Sequence, residues 1–281
     1  AIGSNAGREQ KLGGSVYIGR YAGYKHDAAA DYAGGNKVGI GYHTMYGIKG
    51  GAAGNVAIGR QAGVNLDGHD VNNQGSWNVF TGYLAGSTMR SGSYNVAVGA
   101  HYGGGAMYNL RDGLGNVAVG PTAMQGGDVD GQKPKHNVML GWGAGSGQSE
   151  MKTPTYNVGA GYLALQKLVD QDYSVGIGYQ AGRALTTAAN SVFVGYQAGL
   201  VHTGGNNVAI GDRAFVNTDA GSNSLASDKN VAVGNKAIGG DLTDAQVTGT
   251  VALGYYALGN ATMGGIDYNI AIGMESQLNN A

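Results

Sequence analysis

The chain has 281 residues, including 55 Gly, 3 Pro and no Cys, and a formal net charge of −1 with 12% charged residues. A charge this close to zero, without a basic stripe, argues against nucleic acid as a partner, and the lack of Cys excludes a disulfide framework and thiolate zinc sites. No run approaches the roughly 20 apolar residues that span a bilayer, so we expect no membrane insertion by this segment.

One short phrase recurs from the first residues to the last, most legibly as Asn-Val-Ala-Ile-Gly-Arg-Gln-Ala at 55–62. Repeats of this size are typical of solenoids, in which each unit buries its apolar face against its neighbours. We predict one repeat array over residues 1–281 and interpret it as an excerpt of a longer fibre chain. The copies are anchored by fifteen glycines, spaced 16 to 23 residues apart: Gly3, Gly19, Gly41, Gly59, Gly82, Gly99, Gly120, Gly141, Gly161, Gly178, Gly195, Gly211, Gly234, Gly254 and Gly273.

Each repeat predicts a short strand directly before its anchor glycine. The residue three before the glycine is Val in thirteen of fourteen repeats and Ile270 in the other, and the residue one before it is usually Ile, Val or Leu. Side chains two apart on a strand share a face, so the Val and Ile columns are expected to form one apolar wall in the core. The residue between them, Ala or Gly in eleven of fifteen repeats, points the other way.

The rest of the repeat predicts turns rather than helices. The anchor glycine permits a positive φ, and Ala stands three residues later in twelve of fifteen repeats, which we interpret as a corner before a second short strand. Fixed glycines and the lack of a 3.6-residue period disfavour helices. The predicted fold is therefore all-β, a parallel β-roll or β-solenoid of about fifteen short repeats.

A polar column precedes each strand, four residues before the anchor glycine. Stacked amides there are expected to hydrogen-bond along the array and to serve structure. The column contains Asn55, Asn78, Asn95, Asn116, Asn137, Asn157, Asn207, Asn230 and Asn269, with Ser15, Ser174 and Ser191 as variants.

The small residues between Val and Ile suggest how chains would assemble. Burial within one coil looks too small to offset the entropy of ordering about 19 residues per repeat. An Ala and Gly face would let other chains approach closely, so we predict a homotrimer in parallel register.

The repeated phrase resembles the head repeat of trimeric autotransporter adhesins, and similar repeats occur in phage tail fibres and other trimeric bacterial fibres. The resemblance rests on 55–62, 95–99, 116–123, 207–214, 230–237 and 269–273 and covers the whole chain. It implies a parallel β-roll trimer with the Val and Ile columns inside each roll, and a role in adhesion. The intervals are looser than in that family, and adhesin and phage fibre are not distinguished.

An aromatic column follows the anchor glycine in seven repeats. Rings on successive rungs would form a ladder that either covers the corner of the roll or offers a stacking platform to sugars. Loops between the repeats are a further place for ligand specificity. The candidate glycan-binding residues are Tyr162, Tyr179, Tyr196, Trp142 and Tyr255.

No residue pattern indicates catalysis, a cofactor or a metal. Acidic residues at 67–70 and 128–131 could coordinate Ca²⁺, but Asp and Gly at these positions are better explained as ordinary solvated turns. The six histidines do not have the spacing of metal ligands and are expected at the surface. The matches to G-x-G-x-x-A at 159–164 and 176–181 arise from the glycines of the repeat, and no helix is predicted after them as a nucleotide-binding fold would require.

We therefore expect a non-catalytic, extracellular fibre segment, at a cell surface or virion tail, that binds a surface glycan or protein. The alternatives are a carbohydrate-active enzyme on a β-solenoid and a passive fibre spacer. The sequence does not identify the receptor, the origin or any flanking domain.

Overall fold

The computed structural model describes residues 1–8, 14–25, 35–50, 52–68, 75–126, 133–147, 151–186, 189–216, 227–240, 247–259 and 267–277, without the side chains of 49–50 and 67–68. The chain divides into two compact units, Ala1–Thr153 and Pro154–Ala281. Each unit is a β-solenoid built from the same repeat, and the described residues contain no helix. The predicted all-β fold is confirmed.

Among the described residues, each unit has seven three-residue strands, each directly before an anchor glycine. In the first unit a two-stranded pair is added, β3 (Lys49–Gly50) with β5 (Asp67–Gly68). The seven main strands there are β1 (Val16–Ile18), β2 (Val38–Ile40), β4 (Val56–Ile58), β6 (Val79–Thr81), β7 (Val96–Val98), β8 (Val117–Val119) and β9 (Val138–Leu140). Those of the second unit are β10 (Val158–Ala160), β11 (Val175–Ile177), β12 (Val192–Val194), β13 (Val208–Ile210), β14 (Val231–Val233), β15 (Val251–Leu253) and β16 (Ile270–Ile272).

Within each unit these strands pair in parallel and in register with the strand of the next repeat. Val117 lies opposite Val138 in the first unit, for example, and Val175 opposite Val192 in the second. The repeat is therefore one rung, and equivalent residues form straight columns along each unit. Parallel stacking also places the β-branched Val residues side by side, a packing that suits a pleated surface.

The anchor glycines hold their columns at a backbone geometry that other residues rarely adopt. Gly59 has a φ of 129°, and a Cβ there would lie 2.6 Å from the carbonyl oxygen of Gly82 on the next rung. The amide of Gly59 donates to the carbonyl of Ile40 on the previous rung at 2.8 Å. The glycine thus combines positive φ with a close approach between successive backbones.

The strands face the opposite way from our prediction. In every three-residue strand the middle residue is buried and the flanking residues are partly or fully exposed. Ala118 is completely buried, whereas Val119 is 39% exposed and Ile210 is 40% exposed. The prediction that the Val and Ile columns line the inside of the roll is therefore wrong. We call the middle residue of each strand the inward residue and its two neighbours the outward residues.

The interior is narrow, and its volume is shared between the inward residue and the corner residue, defined as the fourth after the anchor glycine. A large inward side chain is paired with a corner glycine, and a small one with a large corner residue. The first kind comprises Tyr17 with Gly23, Phe80 with Gly86, Met139 with Gly145 and Phe193 with Gly199. The second comprises Gly39 with Met45, Ala118 with Met124, Gly159 with Leu165, Ala209 with Phe215, Ala232 with Ile238 and Ala252 with Leu258.

Contacts explain this complementarity. A Cβ on Gly23 would lie 2.5 Å from the ring of Tyr17, and a Cβ on Gly145 would lie 2.6 Å from the sulfur of Met139. Three of these repeats have small residues at both positions, namely Ala57 with Gly63, Ala97 with Gly103 and Gly176 with Gly182. At one of them, Gly182, the space is occupied by Leu165 and Phe193 of the neighbouring rungs. The interior is thus close-packed across rungs, as protein cores are.

The second strand that we predicted after the anchor glycine is replaced by turns in most described repeats. Two positions there adopt the left-handed conformation, the second and fourth after the glycine, as at Thr122 (φ 55°) and Met124 (φ 50°). The rungs are nevertheless linked at the corner, since the amide of Met124 donates to the carbonyl of Ala144 at 2.9 Å. Alternating left-handed residues let the chain close the coil while its amides stay bonded along it.

The predicted amide ladder is confirmed as a buried feature. The side-chain oxygen of Asn95 accepts from both the backbone and side-chain amides of Asn116, each at 3.0 Å, and Asn116 serves Asn137 in the same way. In the second unit Asn207 and Asn230 repeat this pattern, and Ser174 and Ser191 continue the ladder through their hydroxyls. These bonds satisfy the polar groups of side chains that are buried in the core.

Lys37 interrupts this ladder. It stands at the Asn position of its repeat, is 1% exposed, and donates its backbone amide to the hydroxyl of Ser15 at 3.1 Å. Burial lowers the pKa of Lys37 to about 8, since the charged ammonium loses its hydration there. We did not predict this buried cation.

Candidate binding surface

Three of the five predicted site residues form a continuous ring stack in the second unit. Tyr162 and Tyr179 have ring centroids 5.3 Å apart, and Tyr179 and Tyr196 have centroids 5.1 Å apart, with planes 10–13° from parallel. Their spacing follows from the register, because each ring projects from the first residue after an anchor glycine and the rungs repeat at about 4.8 Å. We call these residues the tyrosine stack. Each ring is 42–44% exposed.

A polar row of Gln180, Gln197 and Arg213 lies one residue further along the rungs of Tyr179, Tyr196 and Asp212, whereas the rung of Tyr162 carries Leu163 at this position. The side-chain amide of Gln197 donates to the side-chain oxygen of Gln180 at 3.1 Å, and Nε of Arg213 donates to the side-chain oxygen of Gln197 at 3.4 Å. All three positions have a left-handed backbone. Gln180 is buried, whereas Gln197 and Arg213 are half-buried, so the accessible hydrogen-bonding groups of the row belong to these two residues.

The stack has a defined end. The guanidinium of Arg213 lies over the ring of Tyr196, 5.3 Å from its centroid, as cation–π contacts do. The next two rungs carry Asp212 and Asn235 in the aromatic column, and these bond to each other at 3.2 Å. Within the stack the ring faces largely cover one another. What the stack presents to a ligand is therefore a row of ring edges and phenol hydroxyls flanked by amides.

The other two predicted residues do not join the stack. Trp142 belongs to the first unit, where its ring meets the ring of His101 edge-on at 4.9 Å. Tyr255 lies beyond Asp212 and Asn235 and packs against Tyr256 at 4.6 Å. Both rings are exposed, by 46% and 49%.

A second aromatic column was missed in the sequence. It stands five residues before the anchor glycine, where the backbone is left-handed at Trp77, Tyr94, Tyr156, Tyr173 and Tyr268. Tyr156 and Tyr173 stack at 5.3 Å with planes 6° apart. The recurrence of aromatic residues at this offset was the available signal.

His202 corrects the expectation that the histidines lie at the surface. It is completely buried, with its ring 4.6 Å from Phe215, and its Nε2 is 2.7 Å from the side-chain amide nitrogen of Asn207. His136 is exposed as expected, and His43 and His101 are half-buried. His26 and His69 lie outside the described residues.

Most residues of the two predicted acidic loops lie outside the described part of the chain. Asp67 and Gly68 form β5. Residues 69–70 and 128–131 lie outside the described part of the chain, as does most of the three longest segments between repeats. Among the described residues, no group of three or more metal-ligating side chains is present. In the same part of the chain, no helix has the length and apolar character needed to cross a bilayer.

Comparison with known proteins found no matching family model, no matching curated protein and no matching solved structure. The likeness to adhesin head repeats thus stays a prediction from the repeated phrase, and function is argued from the surfaces of the chain.

Proposed function

We propose that this chain is a non-catalytic segment of an extracellular fibre, at a cell surface or virion tail, that assembles with copies of itself and adheres to a surface glycan or protein. The observation that carries the proposal is the outward face of the strands. Two aliphatic columns lie side by side along each unit and are half-buried to exposed, with exposed members such as Ile177 (42%) and Ile210 (40%) in one column and Val79 (36%) in the other.

An exposed face of this kind is unusual for an isolated protein. Soluble monomers rarely leave large contiguous apolar patches open to water, and such patches mark interfaces. The outward residues are Val in one column, mostly Ile, Val or Leu in the other, and they repeat at every rung. A surface this uniform is complementary to another surface with the same rung spacing.

A second copy of this chain is the occupant that best fits. Its outward columns have the same spacing, so parallel copies would pack Val and Ile side chains rung against rung around a common axis. We propose a homotrimer as the simplest such closed assembly. This interface differs from the one predicted from the sequence, because the small inward residues that we assigned to the interface lie inside the roll.

Adhesion is supported by the tyrosine stack and its polar row. Hydroxyl-rich ligands need both apolar surface and precisely placed hydrogen-bonding groups, and the ring edges of Tyr179 and Tyr196 lie beside the side chains of Gln197 and Arg213. Parallel copies would multiply a weak contact, because later binding events become effectively intramolecular.

Light scattering after size exclusion tests the assembly. We expect a trimer mass for the wild type and a monomer mass for an Ile177→Glu, Ile210→Glu double variant, with its strand signal in circular dichroism unchanged because both sites are exposed. Lys167→Glu, at an exposed residue away from the outward face, is the control and should remain trimeric. A folded wild-type monomer at micromolar concentration would contradict the proposal.

A glycan array tests adhesion separately. We expect the wild type to bind a subset of neutral glycans and Tyr179→Ala to lose most of that binding. Full binding by Tyr179→Ala would assign the stack to packing alone, and a wild type that binds no glycan or cell surface would leave a passive spacer.

A further inference from the structure

A second surface cluster, unlike the tyrosine stack, lies on three successive rungs of the first unit. Its centre is His43, whose ring stacks on Tyr42 at 4.3 Å and on Tyr46 at 4.7 Å and meets Tyr21 edge-on at 5.0 Å. Tyr24 closes the group, 5.4 Å from Tyr21 and 5.6 Å from Tyr46.

Three cations border these rings. The guanidinium of Arg20 lies 5.0 Å from the centroid of Tyr21, that of Arg60 lies 5.6 Å from Tyr42, and the ammonium of Lys25 lies 5.9 Å from Tyr46. All three cations are exposed. We call the rings and these three residues the cationic patch.

The cations of the patch also act on its titrating groups. Burial, together with the charges of Arg20 and Arg60, lowers the pKa of His43. The hydrogen bond and charge of Arg20 lower the pKa of the Tyr21 hydroxyl. The arginine contributions to both shifts have the sign expected of nearby positive charge.

We propose that the cationic patch binds a linear acidic polysaccharide, one that carries carboxylates on a hydroxyl-rich chain. Arg20 and Arg60 stand two rungs apart, about 10 Å at the usual strand spacing, so they can hold two anionic groups along one polymer. A guanidinium pairs with a carboxylate through two parallel hydrogen bonds. The phenol hydroxyls between the two arginines suit the sugar hydroxyls.

Two other polyanions fit less well. Single-stranded nucleic acid binds by stacking bases on free ring faces, whereas the His43 ring already stacks on Tyr42 and Tyr46. An acidic peptide most readily adds to an open strand edge. Here the backbone amide of His43 already donates to the carbonyl of Arg20 at 3.1 Å, and that of Gln61 to Tyr42 at 2.9 Å.

This inference deepens the proposed function, because it gives an adhesive fibre a second ligand class on a separate surface. The test is calorimetric titration of the full chain with a uronic acid oligosaccharide, neutral dextran, poly-glutamate and oligo-dT. We expect the uronate to bind most tightly and its affinity to fall at 300 mM salt relative to 50 mM.

Arg20→Gln and Arg60→Gln should each weaken uronate binding about tenfold, the usual effect of losing one hydrogen bond to a charged group. Arg60→Lys, which keeps the charge but loses the two-pronged contact, should lose less. Arg90→Gln, an exposed arginine of the same unit outside the patch, is the matched control and should bind as the wild type does.

Three results would overturn the inference: equal binding of dextran and uronate, tighter binding of poly-glutamate or oligo-dT, or equal losses in the Arg20, Arg60 and Arg90 variants. Tyr179→Ala separates the two proposals, since uronate binding should survive it. Failure of the glycan array with intact uronate binding would remove the tyrosine stack from the function but leave the cationic patch.

Discussion

Replacing Lys37 by Met should stabilise the protein at neutral pH. Lys37 is 1% exposed and its pKa is lowered to about 8 by burial, against 10.5 for a solvated lysine. Each pKa unit corresponds to 1.36 kcal/mol, so keeping the ammonium charged in the folded state costs about 3 kcal/mol. Methionine has a similar length and no charge, and Met45 is completely buried in the same unit.

The pH dependence gives the sharper test. Between about pH 8 and 10.5 the unfolded wild type holds a proton on Lys37 that the folded state has released, so wild-type stability rises with pH through this window. Lys37→Met lacks the titration. The stability difference of about 3 kcal/mol at pH 7 should therefore shrink towards zero near pH 10.5.

Urea unfolding of both proteins at pH 7, 9 and 10.5 measures this difference, and other titrating groups cancel in the comparison. Lys167→Met, at an exposed lysine, is the control and should shift stability by less than about 0.5 kcal/mol. If Lys37→Met is no more stable than the wild type at pH 7, or if the difference does not depend on pH, our account of Lys37 is wrong.

Four further outcomes follow from the repeat. Gly59→Ala should destabilise by about 3 kcal/mol or more, because it combines positive φ with a backbone clash; unchanged urea unfolding would contradict it. Asn116→Ala should cost about 2–4 kcal/mol by leaving its buried neighbours without partners, and an exposed Asn→Ala change serves as control. Tyr179→Ala should cost about 1–3 kcal/mol through two lost ring contacts, with loss of near-ultraviolet dichroism; an unchanged spectrum would argue against ordered stacking. Met139→Ala should lower the free energy of unfolding by about 2–5 kcal/mol, and Gly145→Met should lower it by about 1–3 kcal/mol. Because the two residues share one space, the double variant should lose about 1–3 kcal/mol less than the sum of the single losses. Additive losses in that double-mutant cycle would contradict the shared interior volume.

Much of the fold could be predicted from the sequence because the repeat is nearly invariant where the backbone is constrained. The anchor glycines mark positions that only glycine can occupy, and the Val before each one marks a strand. The Asn column was correctly assigned to a ladder, since amides stack in register in parallel arrays. Lys37 was missed because a single lysine at a polar position looks solvated.

The candidate surface was only partly predictable. Successive repeats at 17-residue intervals placed Tyr162, Tyr179 and Tyr196 in one stack, and the structure shows this arrangement. The cationic patch depends on contacts between residues one, two, five and six positions after different anchor glycines. No single column of the alignment contains it, so inspection column by column did not reveal it.

The principal error was the assignment of which face of each strand points into the core, and the error has a physical cause. A strand has two faces, and hydrophobicity alone assigns the larger aliphatic residues to the core. In this roll the inward residue lies directly against the opposite corner, so an all-Val or all-Ile interior would not fit. The space admits one large side chain per rung, either on the strand or at the corner.

Volume compensation was therefore the better signal for the interior. Tyr17 and Phe80 occur with corner glycines, while Ala118 occurs with Met124, and only side chains that share one closed space need to vary together in this way. The outward Val and Ile columns show no such exchange, because nothing within the same chain limits their size. The two faces of the strand therefore affect folding and assembly separately. A charged side chain in place of Ala97 or Ala118 would lie in the interior and oppose folding. A charged side chain in place of Val96 would lie on the outward face and oppose the proposed association.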